Sequence, residues 1–188
     1  SLTPNEGQVG TEVVIEGTSL FAGGSEIVSV TLNGVEVASI SETQTSEKIS
    51  VVASADVASE NATDVVMTSD IGTAITGAEL WTPNEEGNIT EVTPNRGQLG
   101  TSVTVGGERL RGGGDEVVAV SVAGVDASNI TFENNTLVTF ILNNTEDVED
   151  LVDIVLIADS GAIVTAVASF RLITTNITDV SPAQGQIG

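Results

Sequence analysis

The 188-residue chain has no His, no Cys and no Tyr, and its only lysine is Lys48. The usual nucleophiles and near-neutral acid–base groups are therefore nearly all missing, leaving Ser, Thr and carboxylates, and this argues against an enzyme. The lack of Cys excludes a disulfide framework and leaves the redox compartment unread. No apolar run reaches the ~18–20 residues needed to cross a bilayer, so no direct membrane insertion is expected in this segment, and Ser1 does not begin a signal peptide. Aromatics make up only 3% of the chain, so its cores must be built from Val, Ile, Leu and Ala. No stretch repeats its apolar residues at helical spacing, and Val and Gly are abundant. That is the composition of an all-β protein.

Positive charge is scarce as well: 27 acids face five bases, for a net charge of −22. Both halves share the excess, with 14 acids against one base in residues 1–90 and 13 against four in 91–188. Such a field repels nucleic-acid phosphates and anionic membranes, attracts cations and keeps neighbouring chains apart. Carboxylate pairs can hydrolyse glycosides. The candidates Glu146, Asp147, Glu149 and Asp150, however, lie in TEDVEDLVD, which has no equally acidic counterpart earlier in the chain and reads as a solvated loop. Calcium would need six to eight converging oxygens, and no D-x-D-x-D-G loop is present. Asp115 and Glu116 beside GGG, with Glu26 beside GGS, offer at most a weak exposed calcium site. No other cofactor, no metal site and no catalytic residue is expected.

What is present is a repeat. TPNEGQVG at 3–10 returns as TPNRGQLG at 93–100 and as SPAQGQIG at 181–188. An offset of 90 lays TEVVIEGTSLFAGGSEIVSVTLNGVEV over TSVTVGGERLRGGGDEVVAVSVAGVDA without a gap. The offset then falls to 89, pairing Asp70 with Asp159, Gly72 with Gly161 and Trp81 with Phe170. After one more deletion, NITEVTP lies over NITDVSP. A period of 88–90 residues is the size of one small β-sandwich. The expected organisation is repeat 1 over residues 1–87, repeat 2 over 88–176, and the opening strand and turn of a third repeat over 177–188, a cut through a longer array.

Positions that stay apolar in both copies mark the buried face. Val13 and Ile15 match Val103 and Val105; Val28, Val30 and Leu32 match Val118, Val120 and Val122; Ile49, Val51 and Ala53 match Val138, Phe140 and Leu142. This period of two predicts about seven strands per repeat in an immunoglobulin-like sandwich without its Cys pair. Asn33-Gly34 suits a two-residue hairpin, while Ala123-Gly124 makes the same turn less secure in the second copy.

The phrases TPNEGQVGTEVVIEGTSL and EVTPNRGQLGTSVTVGGERL resemble the IPT/TIG domain (immunoglobulin-like, plexins, transcription factors) over essentially the whole chain. The resemblance implies an early immunoglobulin-like fold, often in tandem, in proteins that range from surface receptors to DNA-binding factors and carbohydrate-active enzymes. The motif itself reads as structural: Pro interrupts pairing and its glycines permit positive φ at a crossing between the first strands. No helix follows GxxGT, so it is not a phosphate cradle.

Six of the twelve Asn are followed two residues later by Thr: Asn61, Asn88, Asn129, Asn134, Asn143 and Asn176. With 23 Thr in the chain, chance gives about 1.5 such matches. These residues are the expected N-glycosylation sites, carried on loops and connectors where a bulky sugar is tolerated. The sequence thus describes an extracellular, N-glycosylated structural protein, a segment of a rod-like or fibrous surface array. Its expected partners are further repeats of the same chain or other copies in a fibre or coat, and not nucleic acid. The rival readings are an adhesin or receptor stalk that binds through a loop such as FAGGSE or RGGGDE, and an accessory pair of a secreted carbohydrate-active enzyme. A surface-layer protein of a salt-adapted organism is a further setting for the structural reading.

Overall fold

A computed structural model describes residues 1–175, 178, 179 and 181. Asn176 and most of the expected third opening at 177–188 lie outside the described residues. Repeat 1 contains β1 (Leu2–Thr3), β2 (Glu6–Gly7), β3 (Glu12–Glu16), β4 (Ile27–Leu32), β5 (Val35–Glu36), β6 (Ser39–Ile40), β7 (Lys48–Val52), β8 (Thr63–Ser69) and β9 (Ala74–Pro83). Repeat 2 contains β10 (Asn88–Thr93), β11 (Arg96–Gly97), β12 (Ser102–Glu108), β13 (Val117–Val122), β14 (Val125–Asp126), β15 (Asn129–Glu133), β16 (Leu137–Ile141), β17 (Val152–Ala158) and β18 (Ile163–Leu172). No helix occurs among the described residues.

Each repeat packs a four-stranded sheet against a five-stranded one. The orders are β1-β3-β7-β6 and β2-β9-β8-β4-β5 in repeat 1, and β10-β12-β16-β15 and β11-β18-β17-β13-β14 in repeat 2. The fold is thus two tandem immunoglobulin-like sandwiches of one topology. Nine strand segments replace the expected seven because two stretches are each divided between the sheets: the chain after the hairpin, which gives β5 to one sheet and β6 to the other, and the first strand. Leu2 and Thr3 pair antiparallel with β3, and after Pro4 the chain crosses over so that Glu6 and Gly7 run parallel to the end of β9. Proline cannot donate to a ladder, which makes it suited to this break.

Alternation builds two separate cores. Val13, Ile15, Ile49 and Val51 face Val30, Val65, Met67 and Trp81 in repeat 1; Val103, Val105, Val138 and Phe140 face Val120, Ile154, Leu156 and Phe170 in repeat 2. Fully burying each Val or Ile removes apolar surface from water at roughly 1.5–3 kcal/mol apiece. One expected position is corrected. Val28 and Val118, expected inward, are 54% and 51% exposed, whereas Ile27 and Val117 are buried. A register shift between Ile27 and Ser29, and another between Val117 and Ala119, adds a residue to the strand and reverses the parity.

The hairpin turns agree between copies despite their different sequences. Asn33 and Gly34 have φ of 53° and 78°, and Ala123 and Gly124 have 54° and 77°. Ala123 therefore accepts the left-handed conformation that Asn33 takes more readily.

Candidate functional site

The opening motif of repeat 1 forms the joint between the repeats. Thr11 N–H donates to the Gln8 carbonyl at 3.1 Å, and Gln8 N–H donates to Thr11 Oγ1 at 3.1 Å, closing a turn that fixes the Gln8 side chain. A Cβ on Gly7 would lie 2.5 Å from Thr11 Oγ1, so the turn requires glycine there. The Gln8 carboxamide then uses both of its ends. Its Oε1 accepts from the Gly87 N–H at 2.8 Å in the connector, and its Nε2 donates to the Ile163 carbonyl at 2.8 Å in repeat 2. Gln8 is only 4% exposed. A buried amide satisfied on both sides is a high-stakes contact, because losing it strands two backbone groups.

Backbone contacts complete the joint. Ile163 N–H donates to the Val9 carbonyl and Glu12 N–H to the Ser160 carbonyl, each at 2.9 Å. The two repeats come so close that a Cβ on Gly10 would sit 2.6 Å from Ile163 Cγ1, and one on Gly161 would sit 2.9 Å from the Gly10 carbonyl. Gly112 in the Arg109–Gly114 loop packs on the other side of Gln8, where an added Cβ would be 3.0 Å from Cδ and Nε2. The connector is held as well: Asn84 N–H donates to the Gly7 carbonyl at 2.7 Å, and Arg109 Nε to the Glu86 carbonyl at 3.1 Å. The Arg109–Glu85 pair at 3.1 Å lies at the exposed rim and contributes little. Sequence reasoning assigned the motif a turn and missed the joint. The signal was Gln at the same position in all three copies of the motif.

The expected glycosylation residues are dispersed. Asn61, Asn88, Asn129 and Asn143 are exposed, and Asn134 is half-buried. Asn88 opens β10 and Asn129 opens β15, the two edge strands of one sheet, and Asn134 lies in the hairpin beside β15. Asn134 Oδ1 accepts from the Thr136 and Leu137 N–H groups, both at 2.8 Å. Beside exposed Asn143, Asn144 is buried, with Nδ2 donating to the Val122 carbonyl at 3.2 Å. Thr also has a structural use in these sequons: Thr63 Oγ1 donates to the Trp81 carbonyl at 2.8 Å and Thr131 Oγ1 to the Thr139 carbonyl at 3.2 Å.

Among the described residues, no three acidic side chains converge as they would around a metal ion. Asp159 Oδ1 instead accepts from the Asp115 N–H at 2.9 Å, and Asp70 Oδ1 from the Ser25 N–H at 3.0 Å, so this carboxylate pins the Gly-rich loop in both repeats. Asp147 Oδ2 accepts from Thr174 Oγ1 at 2.7 Å. Arg111 forms a fork with Glu133, through Nε at 2.9 Å and Nη2 at 2.6 Å, and Glu133 Oε2 also accepts from the Val117 N–H at 3.1 Å. The Arg111 hydrogen bond, followed by that from Val117, holds the Glu133 carboxyl below the usual carboxylate range, against the opposing effect of burial. Repeat 1 does the same work without charge: Gln44 Oε1 accepts from the Ile27 N–H at 2.8 Å and Gln44 Nε2 donates to the Ile27 carbonyl at 3.0 Å.

Two sandwiches of one topology, joined through a buried glutamine of the opening turn, define a tandem immunoglobulin-like module. The IPT/TIG domain family matches residues 1–79 and again 88–171, and the chain belongs to that family. Among solved structures, a plexin A4 full extracellular region (domains 1 to 10) is similar, with 18% identity and a TM-score of 0.52 over 97% of this chain and 16% of that one. A second plexin A4 extracellular structure (domains 1 to 8) has 20% identity and a TM-score of 0.47, covering 92% and 18% of the two chains. The Bacteroides ovatus mixed-linkage glucan utilization locus protein SGBP-B, in complex with a mixed-linkage heptasaccharide, has 13% identity and a TM-score of 0.35 over 90% and 39%. At 18% identity the likeness to the first of these is one of fold, and the chain spans less than a fifth of either plexin chain. No curated protein matches it.

Proposed function

We propose that this chain is a structural segment of an extracellular, N-glycosylated rod, in which IPT/TIG repeats are stacked at fixed angles. The observation that carries this reading is the joint: Gln8 is buried between the repeats, and the two hydrogen bonds of its carboxamide sit beside two backbone hydrogen bonds and a glycine-to-glycine approach. Swivelling would break these contacts together, so the joint supports a spacer of set geometry. The sequons support the extracellular setting, which is also the setting of the plexin A4 region. Sugars on Asn88 and Asn129 would shield the open edges of β10 and β15 from pairing with other chains.

The aromatic inventory favours a spacer over a sugar-binding stalk. Trp81, Phe140 and Phe170 are in the cores and Phe21 packs against one, so the exposed ring is Phe132, at 52%. A single ring is a poor stacking platform for an oligosaccharide. The test is imaging of native material together with glycopeptide mass spectrometry. Periodic filaments with occupied Asn88 are expected; dispersed particles with unmodified Asn61, Asn88, Asn129, Asn134 and Asn143 would overturn the proposal.

A further inference from the structure

Repeat 2 carries a second copy of the joint's giving face. Gln98, Leu99, Gly100 and Ser102 are the equivalents of Gln8, Val9, Gly10 and Glu12. The turn is built the same way: Gln98 N–H donates to Thr101 Oγ1 at 3.0 Å, and a Cβ on Gly97 would lie 2.8 Å from the Thr101 side chain. One end of the amide is held at the equivalent place, by a hydroxyl where repeat 1 uses a backbone N–H. Thr175 Oγ1 donates to Gln98 Oε1, in the role that the Gly87 N–H plays for Gln8.

The two faces differ in what covers them. Gln8 and Gly10 are buried, whereas Gln98 and Gly100 are exposed and Leu99 is 54% exposed. A Cβ on Gly10 would strike repeat 2, while one on Gly100 would meet none of the described residues within 4 Å. Both glycines share the same left-handed backbone, with φ of 86° at Gly10 and 84° at Gly100, so the two turns present the same surface, covered in one repeat and open in the other.

We propose that this face is a docking surface for a further IPT/TIG repeat, one with small residues where repeat 2 carries Gly112, Ser160 and Ala162. The inference rests on the rod reading and specifies its interface. Size selects the occupant. At the first joint the receiving surface is the Ser160–Ile163 turn and Gly112, and even a methyl at Gly112 would approach Gln8 to 3.0 Å and Ala162 Cβ to 2.7 Å. In repeat 1 the equivalent positions are Ala22, Ile71 and Thr73, larger at all three. The turn of repeat 1 from a second copy of this chain is thus too bulky to receive Gln98. A repeat built like repeat 2 is the right size, and it would accept Gln98 Nε2 on the carbonyl equivalent to that of Ile163 and Ser102 N–H on the one equivalent to that of Ser160.

The test keeps both repeats and replaces residues 179–188 by a complete third repeat. Residues 1–178 are followed in register either by a second copy of 91–178 or by residues 1–90, and amide exchange is read at Ser102. With the repeat 2 copy, exchange at Ser102 should slow by about tenfold or more, as expected for a newly bonded amide, and the three repeats should tumble as one body. With the repeat 1 copy, exchange should stay fast. Gln98→Ala should restore fast exchange in the first extension while leaving the melting of the unextended chain unchanged. Fast exchange at Ser102 beside a third repeat whose own core amides are protected would overturn the proposal, as would equal slowing by both extensions. Should the extensions not fold, Gly112→Ala in the unextended chain provides a second reading: faster exchange at Glu12 is expected, and an unchanged rate overturns the size rule. None of these outcomes depends on glycosylation or on filaments in native material, so failure here is distinguishable from failure of the rod reading.

Discussion

Gln8 and Gln98 occupy the same place in the same motif, yet one is the hub of an interface and the other lies on an exposed face. Their substitution should therefore have unequal effects. Gln8→Ala leaves the Ile163 carbonyl and the Gly87 N–H without their buried partner and should cost about 1–3 kcal/mol of coupling between the repeats. Gln98→Ala should leave the stability of this chain nearly unchanged. Differential scanning calorimetry that resolves the two repeats checks both, with the gap between their transitions widening in the Gln8 variant alone. This difference could not be read from the sequence, because the role of a glutamine at an interface is set by whichever repeat comes next. The Ala22 and Gly112 contrast was visible in the aligned copies, but it acquired meaning only once Gly112 was placed against Gln8.

At the scale of strands and turns, the internal repeat made most of the fold legible, since two independent copies had to agree on each buried position. Parity failed at Val28 and Val118 because apolar residues stand on both sides of the bulge, in Ile27-Val28 and Val117-Val118, so period two had two valid phases. The second hairpin offers a prediction. Ala123→Asn would give the left-handed position the residue that serves in repeat 1, and should stabilise repeat 2 by about 0.5–1 kcal/mol, read as a rise in its melting temperature. The Arg111–Glu133 fork offers another. Because the Glu133 carboxyl is held below its ordinary value in the folded state, the pair's contribution is fully present above the unfolded carboxylate range. It is lost as pH falls through the depressed folded value. Acid titration of repeat 2 should therefore be shallower in Glu133→Gln than in the unaltered chain. Repeat 1, which uses the neutral Gln44, should titrate alike in both.

For the molecule as a whole, the net charge of −22 acts on every part at once. Its self-repulsion is screened by salt over a Debye length of about 8 Å at physiological ionic strength. Both repeats should accordingly gain stability on going from low to moderate salt, measured as a rise in both melting transitions. The candidate glycosylation sites were legible as a pattern, yet the placing of Asn88 and Asn129 on the two edge strands of one sheet needed the sheet order, which no local spacing reveals.

The joint departs from this salt-sensitive picture. Its central contacts are an amide side chain, backbone groups and glycines, and the Arg109–Glu85 ion pair sits at the rim. No proton needs to be gained or lost for it to hold, and no counterion competes for it. A molecule whose surface responds strongly to its ionic surroundings is thus braced by an element indifferent to them. The angle between the two repeats should accordingly stay the same from dilute buffer to concentrated salt.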